Sequence, residues 1–258
     1  MGVSARALIL GLLAAAFAVP LPAATPDERF REANELVRSG DYPKAIALYG
    51  ELAASGPESA SLYWNWAQAA TARGAQGEAL WALLRARELD PGDRAVVRDV
   101  ERLREALNLD PAEIAPEPLA AAGRWARRFR MDLLAVALLV LSLGAHVLAR
   151  VRPRTGWAGG AAGAALGLGL LTATVPVAAS FARPTATVVR RGAPLLDAAS
   201  PTAETTGSLR EGEVVPVLES SGAWLRVEDN AGARGWAHVE DVRRLDTPPA
   251  PPGGIPPG

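Results

Sequence analysis

The sequence predicts a multidomain protein: an all-α array of helical hairpins, two transmembrane helices and a small all-β barrel. Three observations carry this. Residues 26–57 lay over residues 60–91 with a 34-residue period, two long apolar runs follow at 131–150 and 156–182, and short β-type runs begin after residue 186. The chain has 258 residues, of which 49% are hydrophobic, and those residues are gathered into blocks.

Composition closes several functional classes. A net charge of -1 removes the electrostatic case for nucleic-acid binding. The absence of cysteine excludes disulfides, thiolate metal sites and cysteine nucleophiles. With only His146 and His238, in different settings, neither a histidine metal cluster nor a Ser-His-Asp triad is readily built. No catalytic residue, metal site or cofactor is predicted.

Residues 1–24 read as a signal peptide. Arg6 precedes an apolar core at 8–19, too short for the roughly 20 residues a span requires, and small residues follow to Ala24. Pro22 departs from the small-x-small rule for cleavage after Ala24, so an uncleaved anchor is the alternative.

In residues 26–107, Gly40 aligns with Gly74, Ala45 with Ala79, Ile46 with Leu80, Tyr49 with Leu83 and Pro57 with Pro91. This register matches the tetratricopeptide pattern of stacked helical hairpins. The glycines serve turns where positive φ is cheap, Ala33, Ala45, Ala67 and Ala79 supply small contacts, and the prolines end each unit. Val96, Val100, Leu103 and Leu107 then form a narrow apolar stripe, as on the capping helix of a short solenoid. Such an array presents a groove to peptides or partner helices, and Asn34, Trp64, Asn65, Trp66 and Arg98 are expected to line it. The competing reading for Trp64 and Trp66 is core between the repeats.

Residues 108–130, with Pro111, Pro116 and Pro118, read as a linker. The apolar runs at 131–150 and 156–182 are each long enough to cross a hydrocarbon layer of about 30 Å. Gly159, Gly163 and Gly167 recur every four residues and are expected to bring the second span against the first. Arg150, Arg152 and Arg154 in the connecting loop favour a cytoplasmic turn, against which stand Arg124, Arg127, Arg128 and Arg130 before the first span. The signal peptide decides for export of both flanking segments. His146 falls inside the first span or near its interface.

Residues 184–246 contain five candidate strands at 187–190, 213–219, 224–227, 234–237 and 242–245. The run Gly212-Glu-Val-Val-Pro-Val-Leu, then Trp224-Leu-Arg-Val, Gly232, Gly235-Trp236 and Val242 looks like a bacterial SH3 domain. Trp224 and Trp236 are expected chiefly as core anchors, with Trp236 the candidate for an aromatic ligand shelf. Residues 247–258, rich in Pro and Gly, read as a disordered tail.

The order of signal peptide, short repeat array, membrane hairpin and SH3 barrel resembles the BatE-type aerotolerance proteins of bacterial membranes. The stretch from Leu62-Tyr-Trp-Asn-Trp-Ala to Glu88-Leu-Asp-Pro-Gly-Asp, the helix ending Val100-Glu-Arg-Leu-Arg, and Gly235-Trp236-Ala-His-Val carry the resemblance. Where that family usually has NLGNAYY-like residues, this chain retains only Asn65 and Ala69. The resemblance implies a bacterial cytoplasmic-membrane location and work beside a MoxR-type ATPase and von Willebrand factor A membrane proteins. The expected function is a non-catalytic scaffold in the lipid bilayer, and the alternative is a peptidoglycan-binding module tethered to the membrane.

Overall fold

The computed structural model describes residues 25–109, 122–123, 125–126, 129–151, 156–179 and 181–249. The signal peptide, most of the linker and the end of the Pro/Gly tail lie outside these residues.

Helix α1 (Pro26–Ser39) begins with a capping box: Thr25 Oγ1 accepts the Glu28 amide and Glu28 accepts the Thr25 amide at 2.8 Å. It is followed by α2 (Tyr42–Ser55), α3 (Ala60–Ala72), α4 (Gln76–Leu89) and α5 (Arg94–Ala106). Asp41, Ser59 and Asp93 cap α2, α3 and α5 through their side chains. Helices α1 and α3 begin 34 residues apart, as do α2 and α4. Gly40 and Gly74 close the two hairpins at φ 82° and 81°, a conformation that costs glycine little. Ala33, Ala45, Ala67 and Ala79 are fully buried, so the paired helices approach closely.

Helix α4 departs from the pattern of a surface helix. Every residue from Gly77 to Ala86 is buried, including Glu78 and Arg85. Helices α3 and α5 cover part of it, and the C-terminal sheet covers another part.

That sheet corrects one expectation. In place of a closed barrel of five strands, the structure has an open seven-stranded antiparallel sheet in the order β3-β2-β6-β5-β4-β1-β7. Its strands are β1 (Thr185–Val188), β2 (Ala193–Leu196), β3 (Thr205–Leu209), β4 (Val214–Ser221), β5 (Trp224–Glu228), β6 (Arg234–His238) and β7 (Val242–Arg244). The sheet bends enough for Ala193, Leu195 and Leu209 to share a core with Val188, Val215 and Val242, but β3 and β7 remain its edges. The physical reason at β7 is visible in its bonding. The carbonyl of Arg244 accepts the indole N–H of Trp81, a residue of α4, at 2.9 Å, so a side chain satisfies what a neighbouring strand otherwise would.

Helices α6 (Met131–Val151) and α7 (Gly156–Ala179) form an antiparallel hairpin, and both are long and apolar enough to cross a membrane. Leu133, Leu134, Val140, Leu141, Leu143 and Leu171 are exposed on them, an outward apolar surface that suits lipid and not water. The expected glycine seam is corrected. A Cβ on Gly159, Gly163 or Gly167 would meet nothing within 4 Å outside its own helix, whereas one on Gly169 would lie 3.3 Å from Leu138 and Leu139. The close crossing is marked by Ser142, whose hydroxyl donates to the Ala162 carbonyl at 2.8 Å. Gly159 and Gly163 instead line an open recess of about 410 Å³ with Leu139, Ser142, Leu143 and His146.

The sheet packs on α4, so the helices before the hairpin and the strands after it are in contact with one another.

Candidate partner-binding sites and the contact between the soluble units

Of the six residues expected to bind partners, Asn34, Trp64, Asn65, Trp66 and Arg98 lie on the helical array and Trp236 lies on the sheet. Asn34 Oδ1 accepts Tyr49 Oη at 2.6 Å and Asn65 Nδ2 at 3.1 Å, which ties α1, α2 and α3 together. Trp64 is half-buried, and its indole N–H donates to Asp99 Oδ2 at 3.0 Å; Arg102 holds the other oxygen of that carboxylate at 2.9 Å. Arg98 is exposed on α5 beside Asp99. Trp64 and Trp66, two residues apart, take different roles. Trp66 is 3% exposed, stacks on Tyr63 and contacts Trp81 edge-on, and so belongs to the core.

Trp236 lies on the sheet, away from these residues in sequence and fold. Strands β5 and β6 alternate, with Leu225, Val227, Gly235 and Ala237 buried and Trp224, Arg226, Trp236 and His238 on the other face. The ladder sets Trp224 opposite His238 and Arg226 opposite Trp236. Core anchoring, the chief expectation for both tryptophans, is therefore corrected: both rings are half-exposed. A Cβ on Gly235 would sit 2.5 Å from Leu195, so a larger residue there is excluded by the core and the neighbouring ring is left on the outside.

Sequence reasoning missed the residues that join the two units. Glu78, on α4, is a buried carboxylate that accepts the Trp66 indole at 3.2 Å, Arg73 at 2.6 Å and Arg243 at 2.8 Å. The Arg243 guanidinium lies 5.1 Å from the Trp81 ring centre and 5.7 Å from that of Trp66. Two turns further along α4, Arg85 donates to the Leu245 carbonyl and to Glu58, and stacks on Tyr63 at 5.4 Å. Helix α4 receives a further tie at its start, where the Gly77 amide donates to Glu211 at 2.8 Å. A signal was present: Glu78 and Arg85 bracket the apolar run from Ala79 to Leu84, and charges so placed are seldom buried without partners.

Burial raises the phenol of Tyr63 well above its ordinary range, and the hydrogen bond to Glu58 adds to this; burial alone raises Tyr49 to about 12. Both rings are therefore neutral hydrogen-bond donors across the ordinary pH range.

Among the described residues no group of three or more His, Asp or Glu is placed to hold a metal ion. The class these features define is a chain with a small β domain of binding type and two helices able to cross a membrane. Residues 189–243 match the family of bacterial SH3 domains, so the C-terminal domain is bacterial SH3-like. No curated protein and no solved structure matches the chain.

Proposed function

We propose that the protein is a non-catalytic scaffold of a bacterial cytoplasmic membrane. It spans the membrane twice, holds both soluble units outside the cytoplasm, and binds partner proteins through a tetratricopeptide-type groove and the SH3-like domain. The observation that carries this reading is the docking of two binding-type units into one body at the ends of one apolar hairpin. Asn34, Trp64 and Asn65 make their hydrogen bonds within the helical array, and Trp236 pairs within the outer sheet face, so none of them is consumed in joining the units. The resemblance to BatE-type proteins suggests the partners: von Willebrand factor A membrane proteins and a MoxR-type ATPase. The test is purification of the full chain from gently solubilised membranes, comparing the intact protein with an Asn65→Ala, Trp64→Ala variant. A set of co-purifying proteins lost in the variant supports the scaffold; an identical set in both, or none in either, counts against it.

A second reading rests on the half-exposed Trp224 and Trp236 rings. A flat aromatic face suits the apolar faces of sugars, and the exported domain would then grip peptidoglycan. Pelleting of the full chain with cell-wall sacculi, weakened by Trp236→Ala, supports this reading; pelleting indifferent to the substitution removes it.

A further inference from the structure

The contact between α4 and the C-terminal strand has the chemistry of a peptide-binding site. An ordinary interface between two domains matches side chain to side chain. Here two donors one helical turn apart, Trp81 Nε1 and Arg85, reach successive main-chain carbonyls, those of Arg244 and Leu245. The side chain preceding this pair, Arg243, enters a pocket made of the Glu78 carboxylate and the rings of Trp66 and Trp81. Leu245 packs on the apolar core of the helices. Main-chain carbonyls are common to every extended peptide, so selectivity falls on the guanidinium pocket and the apolar position two residues later.

We propose that this face of α3 and α4 is a binding site for an extended Arg-x-Leu segment, occupied in cis by residues 243–245, and that a partner presenting a segment of the same chemistry competes for it. The site deepens the scaffold reading, on which it rests, by naming the partner's chemistry and the event that uncovers it. The cis segment has the advantage of belonging to the same chain and of being held in place by the pairing of β7 with β1. Displacement therefore follows when the cis segment is weakened or when the partner is present in high local amount. Release of 243–245 also uncovers the edge of β1, with which β7 pairs through Ala186 and Arg244.

The probe is a fluorescent peptide with the sequence of residues 240–247, added to the full chain in lipid nanodiscs and followed by anisotropy. Arg243→Gln in the chain weakens the cis ligand and leaves the pocket intact. The peptide is expected to bind this variant at least tenfold more tightly than the unaltered chain. Replacing the peptide's own first arginine by glutamine is expected to lower binding at least tenfold. Adding Glu78→Gln or Trp81→Phe to the variant chain is expected to have the same effect. Trp81→Phe keeps an aromatic ring while removing the N–H donor and part of the buried ring surface, so each variant's fold is checked by its melting temperature, and the peptide's own arginine-to-glutamine change, which leaves the chain untouched, answers the question where a chain variant impairs folding. Equal binding to both chains, no binding to either, or indifference to Trp81→Phe and to the peptide's arginine overturns the proposal. Such a result with partner capture through Trp64 and Asn65 intact leaves the scaffold standing, which separates the two failures.

Discussion

Two contacts in this molecule bring backbones close through a glycine, and they are cemented differently. Where α4 meets the sheet, a Cβ on Gly77 would lie 2.8 Å from the carbonyl oxygens of Val188 and Val189. Two buried charges lie along the same helix, Glu78 held by Arg243 and Arg73, and Arg85 held by Glu58. Where α6 meets α7, a Cβ on Gly169 would touch only leucine side chains at 3.3 Å, and one hydroxyl, Ser142, bonds across to Ala162. The difference follows the solvent. Water rewards burial of Trp81 and Leu80 and lets a charged network assemble around them; in lipid, which is already apolar, a hairpin would rely on fit and a polar contact of the kind seen here.

The largest effect that sharpens this comparison is expected at Glu78. Glu78→Ala leaves Arg243 and the Trp66 indole without their shared acceptor and is expected to cost about 3–5 kcal/mol, read as a lower denaturant midpoint of the soluble body by tryptophan fluorescence. Gly77→Ala comes next and has a diagnostic sign. In a free helix the change is stabilising by up to about 1 kcal/mol, whereas against the Val188 and Val189 carbonyls it is expected to be destabilising by about 1–3 kcal/mol. A higher melting temperature for Gly77→Ala would mean that α4 and the sheet do not dock.

Alkaline pH provides a third lever on the soluble side. Tyr49 and Tyr63 ionise later in the folded chain than in the unfolded one, because burial raises both. The unfolded phenols lose protons near pH 10, so the tyrosines' contribution is complete below that value and is lost as pH rises toward about 12 and beyond. Melting temperature is expected to fall steadily over that window, less steeply in Tyr49→Phe. In the hairpin, Gly169→Leu is expected to weaken the α6–α7 crossing, measured as slower disulfide crosslinking between cysteines introduced at Ser142 and Ala162. The smallest effect is expected at Gly163→Ala, which adds a methyl where nothing lies within 4 Å outside its own helix. A loss of hairpin crosslinking there equal to that of Gly169→Leu would restore the glycine seam that the sequence suggested.

The helical half was legible because its signals are local. Two turn glycines and a 34-residue period are read from short stretches, and helices α1 and α3, like α2 and α4, do begin 34 residues apart with Gly40 and Gly74 at the turns. The sheet was less legible. Strands β2 and β3 escaped notice because Pro194 interrupts one and the Thr205–Leu209 strand buries only its last residue, so neither shows the alternation of a half-buried strand. The two adjacent indoles of α3 could not be sorted, since both satisfy a helical apolar pattern and only the position of Trp81 shows which points inward. Of the expected binding residues, Asn34 and Asn65 proved to be hydrogen-bonded at 3.1 Å, a pairing the repeat does not announce, since the 34-residue period aligns Asn34 with Gln68. Trp236 was placed on the right strand and expected chiefly on the wrong face.

By itself the sequence determined where the helical hairpins turn, which segments are long and apolar enough to cross a membrane, and that the C-terminal segment carries an SH3-like pattern. Caps, periodicity and hydropathy act over a few residues, and one sequence contains them all. Only the tertiary structure decided that the sheet stays open, that α4 is buried on every side, and that Arg243 reaches Glu78 across 165 positions of chain. Those outcomes depend on which surfaces meet once the chain on either side of the apolar hairpin is brought together, and no local pattern encodes the distance between residues so far apart.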